Sequence, residues 1–253
     1  MTHASTVSKI FSRENMQRRA LYWTLCALLT VVAAGLWISL RTPAPSKPRV
    51  LILMFSTPSI VPKFAGAAAE INEAYARRHG YGFKHIVNEE TDHAAMVWKM
   101  VDVLRQHHGQ ADALFWIDSD AVFNPTKHHQ SLERLFALRG DIIGCSDHPN
   151  GKSFINTGTL FVKDTPVAKQ MLATWWSVRD APEYTSFPYE QKALGDLANV
   201  YPSAIRARPA DEFNSIYSDL RAGKRDSFVL HFMSYSAEKR ASEFARLKER
   251  FMS

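Results

Sequence analysis

The chain has 253 residues, of which 46% are apolar and 22% charged, so it has the proportions of a packed globular protein and not of a disordered or collagen-like one. Two cysteines are too few for a disulfide framework or a cysteine-rich zinc site. The net charge of +6 comes from residues 1–19 and 41–49, because residues 50–253 hold equal numbers of acidic and basic side chains. This clustering indicates a membrane, and not nucleic acid, as the partner of the basic residues.

The two basic segments flank residues 20–40, which contain no charged side chain. At about 1.5 Å per residue, a helix of this length spans a hydrocarbon core of about 30 Å. Trp23 and Trp37 lie near its two ends, where aromatic side chains meet the membrane surface. The alternatives are a buried core helix and a cleaved signal peptide, although the apolar part of a signal peptide is usually shorter.

The basic residues before this apolar segment outnumber those after it, which favours a cytosolic N-terminus. We therefore expect a single-pass type II membrane protein. Its parts would be a cytosolic tail at 1–19, a transmembrane anchor at 20–40, a proline-rich stem at 41–49 and an extracytoplasmic domain at 50–253. The domain at 50–253 would then lie on the lumenal or extracytoplasmic side of the membrane.

Strands and helices alternate through the predicted domain. Apolar runs and turn residues predict strands at Val50–Phe55, Tyr81–Val87, Ala113–Ile117, Asp141–Gly144, Phe154–Val162 and Phe228–His231. Helical periodicity predicts helices at Lys63–His79, Ala94–His108, Gln130–Leu138, Pro166–Arg179 and Tyr189–Leu197, and an amphipathic helix at the C-terminus. Gly80 and Gly109 are expected to end the first two helices. The β-α-β-α-β order at the start indicates parallel strands with crossover helices, and hence an α/β domain.

The third predicted strand runs directly into Asp118-Ser119-Asp120. Two carboxylates one residue apart repel each other unless a cation lies near them. Mg²⁺ and Mn²⁺ take oxygen ligands and are commonly shared with substrate phosphates. Ligands of open α/β sheets bind at the carboxyl ends of the strands, which is where this pair lies. The spacing therefore suits a metal–diphosphate site, and the alternative is a pair of loop-capping aspartates.

Four sequence motifs resemble those of glycosyltransferase family 34, the galactosyl/xylosyl/mannosyltransferase family that includes plant xyloglucan xylosyltransferases and yeast α-mannosyltransferases. The motifs are WIDSDAVF with Trp98-Lys99 20 residues before its first Asp, INTGTLFV from Ile155, YEQKAL from Tyr189, and DSFVLHF from Asp226. Their order and spacing agree with the family across residues 50–235. An N-terminal single-pass anchor is also typical of the family.

The resemblance implies a GT-A-like fold, which is a Rossmann-like mixed sheet flanked by helices. It also implies a nucleotide-sugar donor, a divalent cation that is usually Mn²⁺ (or Mg²⁺), and the retaining transfer of a hexose or pentose to a glycan or glycoprotein. Carried over by position, the metal ligands are Asp120 and His231, the catalytic residues are Asp118, Glu190 and Gln191, and the donor-binding residues are Lys99, Asp118, Ser119, Asn156 and Gly158.

Each of these residues also has a purely structural interpretation. His231 could be a hydrogen-bonded core histidine, Lys99 a solvated helix residue, Glu190 a first-turn helix acid and Asn156 a turn residue. The sequence departs from the family after His231-Phe232. The family continues with a glycine and then a lysine that grips the diphosphate, whereas this chain has Ser234 and Ser236 at those positions. Lys239 or Arg240 could substitute from a different turn.

Two other functions are compatible with the motifs. A haloacid-dehalogenase-type phosphatase also has Asp-x-Asp after an apolar strand, with Asp118 as nucleophile and Asp120 as acid–base, but it needs a second acidic cluster downstream. A non-catalytic scaffold that binds a nucleotide-sugar or a glycan would explain the altered Ser234–Ser236 segment.

Overall fold

A mixed β-sheet forms the centre of residues 48–253, the larger of two structural units; the smaller comprises residues 1–47. The computed structural model describes residues 16, 18, 20–32, 46–89, 93–146, 155–209, 212–215, 217–224 and 226–252.

The smaller unit is helical over residues 20–32, with exposed apolar side chains such as Leu21 and Trp23. Among the described residues, no helix is both long enough and apolar enough to cross a membrane. The second part of the predicted anchor, residues 33–40, lies outside the described residues. The transmembrane anchor therefore stays a prediction.

The described part of the larger unit forms a six-stranded sheet and a separate two-stranded sheet. The six strands are β1 (Val50–Ser56), β2 (Gly82–Val87), β3 (Ala113–Ile117), β5 (Ile142–Ser146), β6 (Ile155–Lys163) and β7 (Ile205–Arg208), arranged in the order β2-β1-β3-β6-β5-β7. Strand β6 is antiparallel to both of its neighbours, and the other adjacent pairs are parallel. The two-stranded sheet pairs β4 (Ala121–Phe123) with β8 (Val229–His231) in antiparallel orientation.

Helices cover both faces of the six-stranded sheet. They are α1 (Gly66–His79), α2 (His93–His107), α3 (Pro166–Ser177), α4 (Tyr189–Val200), the short α5 (Tyr217–Arg221) and α6 (Ala237–Met252). Strand β1 is buried along its whole length. Its alternate side chains face two separate cores, since Ile52 and Met54 pack with α1 and α6 whereas Leu53 packs with α2, α3 and α4. This two-sided burial explains why the strand reads as a continuous apolar run.

Several elements differ from the prediction. The helix predicted at Gln130–Leu138 is shorter in the structure and is a 3₁₀ helix over Leu132–Ala137. Leu132 and Leu135 are its buried residues, and a spacing of three suits a helix with three residues per turn. The first predicted helix begins instead as a π-helical turn at Val61–Ala65, which continues directly into α1.

Other predicted features are confirmed. Gly80 ends α1 with a φ of 71°, a left-handed conformation that glycine adopts without strain. Strands β1 and β3 and helices α2, α3 and α4 lie within one to three residues of their predicted bounds, and α6 is the predicted C-terminal helix. The predicted mixed α/β architecture, a central sheet flanked by helices, is also confirmed.

Candidate active site

The pairing of β4 with β8 brings the Asp118-Ser119-Asp120 turn beside His231. Ala121 follows the turn and lies opposite His231 in the antiparallel register. The backbone fixes the turn from both sides, since the Asp118 amide donates to the Gly158 carbonyl at 2.9 Å and the Asp120 carbonyl accepts from the amide of the residue after His231 at 2.9 Å. Residues far apart in the sequence therefore form one cluster.

The side chains of Asp118, Asp120 and His231 could together hold a divalent cation, because each offers a ligand atom and all these atoms lie within 4.8 Å of one another. The Nε2 atom of His231 lies 3.1 Å from Asp120 Oδ1 and 3.8 Å from Asp118 Oδ2. A separation near 3 Å is what two adjacent ligands of an octahedral ion have when each bond is about 2.1 Å. Carboxylate and imidazole together suit Mn²⁺ better than Ca²⁺.

Burial and charge act in opposite directions on these three groups. Burial favours the neutral carboxyl and raises the pKa of Asp118. At Asp120 burial has the same effect, but the His231 and Arg240 charges outweigh it and lower the pKa of Asp120. Burial disfavours the charged imidazole of His231, yet the Asp120 carboxylate outweighs it and raises the pKa of His231. Asp120 and a protonated His231 therefore attract each other, and a divalent cation between them would take the place of the imidazole proton.

Arg240 on α6 holds the other oxygen of Asp120. Its Nη2 donates to Asp120 Oδ2 at 2.7 Å, and its Nε donates to the Phe232 carbonyl at 3.1 Å. The guanidinium carbon lies 5.0 Å from the centre of the Phe64 ring. Of the two basic residues that the sequence offers after His231, Arg240 is therefore the one that reaches the site, whereas the Lys239 ammonium lies over the Tyr235 ring.

Gly158 provides the space that the His231 ring occupies. A Cβ atom added to Gly158 would lie 2.0 Å from His231 Cε1 and 2.7 Å from Nδ1, distances that no real side chain can adopt. The sequence predicts that Gly158 permits close approach of the donor. In the structure it is the imidazole of a metal-ligand candidate that approaches, and the contact of Gly158 with a donor stays a prediction.

A chain of buried hydrogen bonds links Asn156 to the backbone of His231 and so helps to position this histidine. Asn156 Oδ1 accepts from Asn214 Nδ2 at 2.9 Å and from the Gly158 amide at 3.0 Å. Asn214 Oδ1 accepts from the Ser215 amide at 2.9 Å, and Ser215 Oγ accepts from the His231 amide at 2.8 Å. The Asn156 amide therefore serves the framework of the site. Sequence reasoning missed Asn214 and Ser215, because polar residues in a connecting segment show no periodicity.

Glu190 and Gln191, at the start of α4, are tied to Thr157 on β6. Thr157 Oγ1 donates to Glu190 Oε1 at 2.9 Å, and the Thr157 amide donates to Gln191 Oε1 at 3.3 Å. The Trp175 indole donates to the Glu190 carbonyl at 2.9 Å. Burial raises the pKa of Glu190 to about 7, so that this carboxyl can hold or release a proton near neutral pH.

A cavity of about 440 Å³ opens beside these groups, a volume that suits a small-molecule ligand. Its polar lining includes Asp118, Ser119, Asp120, Thr157, Glu190, Lys63 and Arg240, and apolar side chains such as Phe55, Phe64, Met96, Met100 and Trp116 line much of the rest. The Trp116 indole donates to Asp118 Oδ1 at 2.8 Å and so fixes its orientation. Lys99 is not part of the wall; its ammonium pairs with Asp102 on the same helix at 2.9 Å.

The comparisons with known proteins connect this geometry to a family. Residues 46–138 match the sequence model of the galactosyl transferase GMA12/MNN10 family. The matched segment includes β1 to β4 with Asp118 and Asp120, whereas Glu190 and His231 lie beyond it. No curated protein sequence matches the chain significantly.

One solved glycosyltransferase shares the fold. A glycosyltransferase involved in the glycosylation of the major capsid of PBCV-1 has a TM-score of 0.68 and 24% sequence identity, with 79% of this chain and 100% of that chain covered. Mouse xyloside xylosyltransferase 1 has a TM-score of 0.47 and 10% identity, with 74% and 98% covered. GlyE of Streptococcus pneumoniae TIGR4 has a TM-score of 0.47 and 9% identity, with 81% and 64% covered. The first likeness shows the fold, and the other two are too weak to carry an argument.

The predicted resemblance to glycosyltransferase family 34 is confirmed over residues 46–138, and with it the prediction that the chain is a glycosyltransferase. The comparisons favour glycosyl transfer over the phosphatase alternative.

Proposed function

We propose that this glycosyltransferase transfers a hexose or pentose from a nucleotide-sugar to a glycan or glycoprotein acceptor, with a divalent cation, Mn²⁺ or Mg²⁺, held by Asp120 and His231 beside Asp118. The observation that carries the proposal is the convergence of these three side chains at one edge of a cavity, whose wall includes Asp118 and Asp120. Retention of anomeric configuration belongs to the proposal through the family resemblance.

Individual residues of the site would have separate roles in the reaction. Asp120 and His231 would hold the cation, which supplies charge neutralisation for the leaving nucleoside diphosphate. Asp118, oriented by the Trp116 indole, would accept a hydrogen bond from a hydroxyl group of the donor's ribose or sugar. Glu190 lies on the same cavity wall and would face the reacting sugar carbon, with Thr157 fixing its carboxyl group.

We also propose that the enzyme is anchored in a membrane. Residues 20–40 would anchor the enzyme as a single-pass type II protein, with the domain on the lumenal side of the Golgi membrane in a eukaryote or in the envelope of a bacterium. The support is the uncharged stretch between two basic segments.

The test is an assay of the full chain in detergent with UDP-sugars and GDP-sugars, in Mn²⁺ and in excess EDTA. Mn²⁺-dependent release of the nucleoside diphosphate from one donor supports the proposal, and the anomeric configuration of the product tests retention. Binding of a donor without any turnover would instead support the non-catalytic scaffold.

Asp120→Asn sharpens this test. We expect activity to fall by at least ~100-fold, because a bound metal contributes several kcal/mol of charge stabilisation in the transition state. Asp102→Asn is the matched control, since Asp102 lies on α2 with Lys99 and outside the cavity wall. Full activity of the Asp120→Asn variant would contradict the assignment.

A further inference from the structure

Arg240 contacts a candidate metal ligand and also lines the ligand cavity. The family resemblance leads one to expect a lysine that grips the donor diphosphate shortly after His231, and this chain has Ser236 at that position. The family match ends at residue 138, so it assigns no role to α6. The site thus contains a basic side chain, but it comes from Arg240 and not from the family's lysine position at residue 236.

The contacts of Arg240 leave part of its guanidinium available. Nε and Nη2 donate to the Phe232 carbonyl and to Asp120, and the group stacks on Phe64. No residue that the structure describes accepts a hydrogen bond from Nη1. Guanidinium binds phosphate oxygens with two parallel hydrogen bonds, which an arginine at a cavity wall can offer to a diphosphate.

Two cations can interact with Asp120, one at each carboxylate oxygen. Its Oδ1 faces His231 Nε2, where a divalent ion fits, and its Oδ2 is held by Arg240. A divalent ion at Oδ1 would repel the guanidinium only a few ångströms away. A diphosphate bound to the same ion would attract it. The side chain is anchored at Nε and on the Phe64 ring, so its two terminal nitrogens can exchange partners without moving α6.

Lys63 adds a second cation to the same wall. It lies on the π-helical turn Val61–Ala65, whose neighbouring Phe64 packs against Phe244 of α6. Its side chain lines the cavity, and its charge also acts on Glu238 at the start of α6. The cavity wall thus carries two cationic side chains, Lys63 and Arg240, that suit an anion.

We propose that Arg240 is the diphosphate-binding residue of this site and that Asp120 holds it in place until a divalent cation releases it to the donor. This inference rests on the proposed function. It predicts that replacing Arg240 strengthens metal binding and weakens diphosphate binding. The reason is that Arg240 competes with the metal for Asp120 and itself binds the diphosphate.

The experiment measures binding to the full chain in detergent, first of Mn²⁺ alone and then of inorganic pyrophosphate at saturating Mn²⁺. Arg240→Met keeps the apolar packing and removes the charge. We expect it to bind Mn²⁺ at least ~3-fold more tightly, since a competing ion pair is lost. We expect its pyrophosphate affinity to fall at least ~10-fold, the usual effect of losing hydrogen bonds to a charged group.

Two further variants complete the test. Arg240→Lys keeps the charge but not the paired hydrogen bonds, so it should change both affinities in the same directions and by less; it also serves if Arg240→Met does not fold. Lys239→Met removes the neighbouring exposed cation and should leave both affinities at the wild-type values.

The outcomes separate this inference from the proposed function. An unchanged or weaker Mn²⁺ affinity in Arg240→Met, or an unchanged pyrophosphate affinity, overturns the role of Arg240 even if the wild type transfers sugar. Suppose that Arg240→Met changes both affinities as expected but that the wild type transfers no sugar from any donor. The proposed function is then overturned, and the role of Arg240 stands. A wild type that binds no Mn²⁺ overturns both.

Discussion

The missing side chain of Gly158 is as important to the site as the metal-ligand candidates themselves. We expect Gly158→Ala to displace the His231 ring, since the added Cβ would lie 2.0 Å from Cε1. Overpacking should destabilise the domain by about 1–3 kcal/mol. Displacement of a ligand should weaken Mn²⁺ binding at least ~10-fold. Urea unfolding and a Mn²⁺ titration measure the two effects.

Gly80→Ala is the control for that substitution. Gly80 has a φ of 71° with nothing near its Cβ position, so alanine there costs about 1 kcal/mol of backbone strain away from the site. It should lower stability and leave the Mn²⁺ affinity unchanged. Equal losses of Mn²⁺ affinity in the two variants would show that instability, and not the position of the imidazole, is the cause.

Glu190 should make the stability of the domain depend on pH. Its pKa is about 7 in the folded protein against an ordinary value of 4.5, so the folded state holds the proton more tightly. The resulting stabilisation is complete below pH 4.5 and is lost as the pH rises through 7. The free energy of unfolding should fall by up to about 3 kcal/mol across this range.

Glu190→Gln isolates that effect, since glutamine keeps an oxygen that can accept from Thr157 and cannot ionise. The difference in unfolding free energy between the variant and the wild type should shift in favour of the variant between pH 5 and pH 8. Urea unfolding at both pH values measures it. A difference that does not change with pH would mean that Glu190 has an ordinary pKa.

Strand β8 carries His231 and so completes the site. The Ser215 hydroxyl group helps to hold this strand in place. Ser215 Oγ is the acceptor for the His231 amide. Ser215→Ala leaves that buried donor without its partner, which should cost about 1–3 kcal/mol and weaken Mn²⁺ binding through the shift of His231. Ser177→Ala is the control, because Ser177 is an exposed hydroxyl that donates to a carbonyl in α3. Unaltered Mn²⁺ affinity in Ser215→Ala would mean that β8 is held by its strand pairing alone.

The elements that the sequence predicts well are those with a strong local signal. Strands β1 and β3 are fully buried apolar runs, and α6 is strongly amphipathic. Strand β4 has three residues, too few for a pattern. In β7 only one of four residues is fully buried, and two are arginines, so no apolar run marks it as a strand. Its place at the sheet edge is set by pairing with β5, which is a long-range contact.

The same distinction applies to the site. Asp118, Asp120 and His231 lie in motifs that resemble a family, and the structure brings their side chains together. The contribution of Asn214 and Ser215 depends on hydrogen bonds to residues far away in the sequence, which no local pattern encodes. The sequence left Lys239 and Arg240 as alternatives, because only the packing of α6 decides which of them reaches Asp120.

For the whole molecule, we expect the domain and the apolar N-terminal segment to be separable. Residues 48–253 form one structural unit, so a chain of residues 42–253 should be soluble without detergent and unfold cooperatively. Vesicle flotation of the full and shortened chains measures the contribution of residues 20–40 to membrane binding. Flotation of the shortened chain would reveal a second membrane-binding surface, and aggregation without detergent would contradict its independence.

The pairing of β4 with β8 has a consequence for how the domain is held together. Cys145 is the one cysteine of residues 48–253, so the domain cannot form an internal disulfide. A cation shared by Asp120 and His231 would cross-link two distant parts of the chain and close a long loop, which penalises the unfolded state as a disulfide does. A chelator would act as a reductant acts on a secreted protein, and protease cleavage would begin where the cross-link was lost, at β8 and α6.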